Sequence, residues 1–117
     1  MDTQNQSIFD LAPKRLQWLS TRQKVVAENI ANADIAGQRA SDTESFESYL
    51  RRTGSDAALP QPLVTEARTG WSEDMSGNNI VLEEQIIEAN ATAGQFRIAA
   101  NLYRKAHQML HTVAGRR

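Results

Sequence analysis

Residues 79–114 read NIVLEEQIIEANATAGQFRIAANLYRKAHQMLHTVA, and within them Leu82, Ile86, Ala89, Ala93, Phe96, Ala100, Tyr103, His107, Leu110 and Ala114 alternate spacings of four and three without a skip. That alternation over four heptads is the stripe of a long helix that packs along a neighbour. Asn79 is placed to cap its start, and Glu83 and Glu84 sit where the helix dipole favours acids. At 1.5 Å per residue such a helix is about 50 Å long, whereas a compact domain of this length is about 35 Å across, so an elongated molecule is expected. On the other face Ile87, Ala91, Ile98, Leu102 and Met109 form a second apolar row at helical spacing. Folding of the middle segment back over this row is the alternative to its serving a second chain.

Working outward, an earlier stretch has the same grammar. Phe9, Ala12, Leu16, Leu19, Val26, Ile30 and Ala33 keep a heptad rhythm that only Gln23 interrupts, with Leu11, Trp18 and Val25 widening the stripe. Pro13 is tolerable in a first turn, so the regular helix is expected to start within a few residues of Asp10, and Gly37 is its natural stop. Between Gly37 and Gly77 Ser, Thr, Asp, Gly and Pro dominate, without sustained helical periodicity. Residues 63–68 are a candidate short strand, and Trp71 a candidate anchor onto a helix. The expected fold is mainly α. Two long amphipathic terminal helices form a coiled-coil-like hairpin: 1–36 is the N-terminal helix with its end motif, 37–78 a polar, extended or partly β segment, and 79–117 the long C-terminal helix.

Composition narrows the function. The 117 residues are 40% apolar, and thirteen basic against fourteen acidic residues leave a net charge of −1, so no overall field draws the chain to nucleic acid. There is no cysteine, hence no disulfide or thiolate chemistry. No apolar run reaches the roughly 18 residues of a membrane span, and the first residues lack the basic and apolar regions of a cleaved secretion signal. His107 and His111, at i and i+4, share a helix face as metal ligands would, but without the glutamate of an HExxH site, and His107 lies in the apolar seam where packing histidines are common. No GxSxG, P-loop or GxGxxG pattern occurs. The reading is therefore of a non-catalytic protein with no cofactor and no metal.

Glu28-Asn29-Ile30-Ala31-Asn32-Ala33-Asp34, followed by Gly37-Gln38-Arg39-Ala40, closely resembles the N-terminal signature of the flagellar rod and hook protein family. Ile35-Ala36 stands where that family usually has Thr-Pro, and Gln38 where it has an aromatic. Gly77-Asn78-Asn79-Ile80-Val81-Leu82-Glu83 is similar to the entry of the C-terminal helix in a proximal rod member. The resemblance covers about residues 9–46 and 77–114. It implies a structural subunit of the bacterial basal body, exported by the flagellar apparatus without a cleaved signal peptide and assembled in the periplasm into the rod. The implied partners are copies of itself and other rod proteins, together with the rod-to-membrane-ring adaptor and the export apparatus; no nucleic acid and no direct membrane span enter. The expected assembly interface comprises Leu16, Leu19, Val26, Asn29, Ile30 and Asn32 on the first helix. On the second it comprises Leu82, Ile86, Ala93, Phe96, Ala100, Tyr103 and Leu110. Another rod subunit of the family is the nearest alternative, and a cytoplasmic coiled-coil adaptor or export chaperone is the alternative of a different class.

Overall fold

The computed structural model describes residues 8–35, 37, 39–54, 58–66 and 82–115. Helix α1 runs over Ile8–Ala31, strand β1 over Ser41–Thr43, helix α2 over Phe46–Thr53, strand β2 over Val64–Glu66 and helix α3 over Leu82–Gly115. The two long helices lie side by side and antiparallel: Phe9 meets His107, Arg22 meets Glu88 and Asn29 meets Gln85. The molecule extends over 68 × 29 × 18 Å, and its radius of gyration of 17.7 Å exceeds the value of about 13 Å for a compact chain of this length. The mainly helical hairpin expected from the two seams is the observed architecture. Trp71 and Asn79 lie outside the described residues.

Three local features differ from the sequence expectation. Pro13 is the sixth residue of α1, past the first turn, so the helix gives up one ladder bond there. The turn ahead of it is held by tertiary contact instead, the Phe9 ring lying 4.9 Å from His107 and 6.3 Å from Tyr103. At its other end α1 stops at Ala31, two residues before the apolar seam does. The amides of Asn32 and Ala33 bond to the Glu28 and Ile30 carbonyls and the Ile35 amide to the Asn32 carbonyl, and Gly37 has φ 78°, open to glycine at no steric cost.

The third difference is α2, in a segment without sustained periodicity. It exists because both ends are capped. Ser45 Oγ accepts the Ser48 amide at 3.1 Å, and Gly54, at φ 57°, donates its N–H to the Leu50 carbonyl at 2.9 Å. Glu47 in the first turn and Arg51 and Arg52 in the last match the helix dipole. Either side of α2, β1 and β2 pair antiparallel with Ser41 opposite Glu66 and Thr43 opposite Val64.

The core lies where α2 meets the long helices. Trp18, Leu19 and Tyr49 are buried together, with Phe46, Phe96 and Ala99 packed against them. The described part of the middle segment thus packs on α1 rather than on the outer row of α3. Leu19 has no exposed surface, so Leu19→Ala opens a cavity at the junction of three helices. The expected loss is about 2–5 kcal/mol, read as a lowered midpoint in urea denaturation followed by circular dichroism.

Candidate assembly interface

Asn29, singled out by the motif, is buried in α1 and acts as a short piece of strand edge. Its Oδ1 accepts the Ser41 amide at 2.9 Å while its Nδ2 donates to the Ser41 carbonyl at 2.9 Å and to Gln85 Oε1 at 3.1 Å. One side chain thereby joins α1, β1 and α3. The carbonyl it meets belongs to its own chain. Asn32, half-buried, contributes through its backbone turn.

Two turns before Asn29 on α1, Arg22 repeats the three-way connection with charge. Its guanidinium lies 2.5 Å from Glu88 of α3 and 3.4 Å from Asp42 of β1, and sits over the Trp18 ring at 5.5 Å. Arg15, a further two turns along, stacks on Trp18 and Phe46 at 5.0 and 4.8 Å. Burial, followed by the repulsion of Arg22, lowers the pKa of Arg15 from its usual value.

Two residues that the sequence reading did not single out hold the middle segment. Lys14 is buried, with Nζ donating to Thr53 Oγ1 at 3.1 Å and to the Gly54 carbonyl, so a cation closes the C-terminal end of α2. Glu44 binds through every polar group it has. Its carbonyl accepts Trp18 Nε1–H at 2.6 Å and its amide donates to the Leu63 carbonyl at 2.9 Å. Its carboxylate takes the Leu63 amide at 2.7 Å, Ser48 Oγ–H at 3.2 Å and the Arg52 guanidinium at 2.6 Å. The Tyr49 hydroxyl donates to the Pro60 carbonyl at 2.7 Å, and burial raises the phenol pKa above its ordinary value. A signal was present in hindsight: Phe46, Tyr49, Leu50 and Thr53 keep helical spacing between Ser45 and Gly54.

The candidate interface residues fall into three groups. Leu19, Val26 and Asn29 are buried within the chain, and Leu16, Ile30, Asn32, Ala93, Phe96, Ala100 and Tyr103 are half-buried. Leu82, Ile86 and Leu110, at the two ends of the α3 seam, are exposed. For Leu110 the reason is length. Helix α3 has 34 residues and α1 has 24, so α3 continues about two turns beyond Phe9, where Leu110 and Val113 stand without α1 beside them. His107 fills the last junction as an aromatic partner, its ring edge-on to Tyr103 at 4.5 Å. Among the described residues no group of three or more His, Asp or Glu is arranged to hold a metal, and no described helix is long and apolar enough to cross a membrane.

Glu44 gives the scaffold an acid limit. The hydrogen bond from Arg52 is the main cause that holds its carboxyl below the ordinary range; the Leu63 amide and Ser48 assist, against the cost of burial. A carboxylate with a lowered folded-state pKa stabilises the fold in full above the unfolded value, and that contribution is lost as pH falls through the folded one. Glu44→Gln is expected to flatten the acid side of the Tm-against-pH curve, and an unchanged slope would remove Glu44 from the acid response. Asn29→Ala, which breaks the bridge to Ser41, should cost about 2–3 kcal/mol and speed hydrogen exchange at the Ser41 amide.

No protein-family model matches the chain. It is similar over nearly its whole length to a curated protein of Agrobacterium fabrum, the flagellar basal body rod protein FlgB. The two are 29% identical over 121 aligned residues, spanning 88% of this chain and 89% of that one. Helical hairpin, Asn29 motif and the alignment agree: over most of its length this chain is similar, at modest identity, to a FlgB-type flagellar rod protein.

Proposed function

We propose that the chain is a non-catalytic structural subunit of the bacterial flagellar basal body, in the proximal part of the rod. In this reading it polymerises in the periplasm, through its terminal helices, into the shaft that carries motor torque. Its partners are copies of itself and other rod proteins, with the rod-to-membrane-ring adaptor and the export apparatus; it leaves the cytoplasm without a cleaved signal peptide. Similarity to FlgB supports the basal-body location and the company of rod proteins.

The observation that carries the assembly reading is the outer face of α3. Ile87, Ile98, Leu102 and Met109 are 67%, 62%, 55% and 69% exposed. Large apolar side chains aligned on one face along a helix of about 50 Å are an interaction surface, since scattered single exposures do not align in this way. Contacts between unlike faces that do not close on themselves generate a filament. Leu82, Ile86 and Leu110, at the ends of the seam on the other face, are exposed as well.

Deletion of the gene is expected to leave membrane rings without a rod in electron micrographs of isolated basal bodies, with the chain detected by mass spectrometry in the parental particles. Intact rods that lack the chain would favour the cytoplasmic adaptor or export chaperone instead, and a rod interrupted beyond its first segment would favour an FlgC-type position. In the wild-type background Leu102→Glu should leave the helical circular dichroism unchanged, because the side chain is exposed in the hairpin, and should reduce recovery of the variant in rods at least tenfold.

A further inference from the structure

The exposed row of α3 reads the same in both directions. Glu84, Ile87, Ala91 and Gly94 follow one another at spacings of three, four and three; Gln95, Ile98, Leu102 and Lys105 do so again. All eight lie within one stripe at 100° per residue; all but the half-buried Gly94 are exposed, and Gln95, at the edge of the stripe, also accepts a hydrogen bond from Arg15 of α1 at 3.5 Å. Turned end for end about a point between Gly94 and Gln95, the helix places Glu84 opposite Lys105, Ile87 opposite Leu102 and Ala91 opposite Ile98. Acid meets base and apolar meets apolar in each half.

Gly94 is a second, independent observation. Mid-helix glycine lowers helix stability relative to alanine, and a close approach by another backbone is one reason to keep it. Among the described residues nothing approaches: a Cβ at Gly94 would meet no atom within 4 Å. The open space stands at the centre of the palindromic row, where two helices crossing on a two-fold axis come nearest.

We propose that α3 pairs antiparallel with α3 of a second copy of this chain, about a two-fold axis between Gly94 and Gln95. The interface is isologous, so each Glu84 meets the other copy's Lys105 and the charge pairs occur twice. Such a pair closes on itself and cannot extend a filament. It is a soluble state that shields the apolar row outside any larger assembly. The pairing uses the same outer face of α3 as the rod reading, so the two assemblies compete for it, and its test is made on the purified chain without any rod.

The chain has no cysteine, so introduced thiols report register cleanly. In the purified full-length protein Gln95→Cys is expected to cross-link to itself under mild oxidation. Ile87→Cys is expected not to cross-link alone, but to do so when mixed with Leu102→Cys. Self-cross-linking of Ile87→Cys would mean a parallel pair and would overturn the proposal, as would failure of all three to cross-link. Sedimentation over a concentration series gives the second readout. Glu84→Lys and Lys105→Glu should each weaken the dimer about tenfold, and the two substitutions combined in one chain should restore it. Loss without restoration would overturn the charge register, and a wild-type chain that stays monomeric at millimolar concentration would overturn the dimer.

Discussion

Everything in the hairpin converges on the carboxamide of Asn29. A buried amide with an unmet donor or acceptor costs more than a satisfied one gains, so its position dictates what surrounds it. Here it pairs with both backbone groups of Ser41, as a neighbouring strand would, and spends its other donor on Gln85 of α3. The end of α1, the start of the middle segment and the start of the described part of α3 are thereby held at one point. From there Arg22 and Arg15 continue the same arrangement along α1, each linking the middle segment to the long helices through charge and aromatic faces.

Burial in the two long helices is unequal, and the inequality gives the molecule its character. Seven residues of α1 are buried, including Trp18, Leu19 and Val26, whereas in α3 only Thr92 is. Helix α1 is therefore enclosed, with α3 on one side and α2 and the two-stranded ribbon on another. Helix α3 lies against it with the small residues Ala89, Ala93 and Ala100 and the aromatic Phe96 and Tyr103, and turns Ile87, Ile98, Leu102 and Met109 outward. Small residues let the helix axes approach, while large ones left exposed are a cost that a solitary protein has no reason to bear. The proposed assembly would supply such a reason.

Lys14 and Glu44 show how the charges inside the chain are put to use. Both would read as solvated surface residues from sequence alone. Lys14 lays its stem along the helix and ends on the carbonyl that α2 leaves open, and Glu44 gathers an amide, a hydroxyl and a guanidinium that are far apart in sequence. No periodicity announces either role, because each depends on the turn geometry at Ser45 and Gly54 rather than on spacing along one helix.

The amino-acid sequence by itself determined the two long helices, their apolar seams, the second row on α3 and the elongated shape, since heptad spacing is a property of a single helix and needs no partner to be read. It also marked Asn29 through its motif. Only the tertiary structure decided which seam residues are covered: α3 runs on past the start of α1, so Leu110 emerges there, while Trp18 and Val25, read as a flank, become core. It likewise decided that residues 46–53 form a helix. Eight residues are too few to hold a helix in water, and α2 persists because Lys14, Trp18 and Glu44 meet it from outside its own sequence.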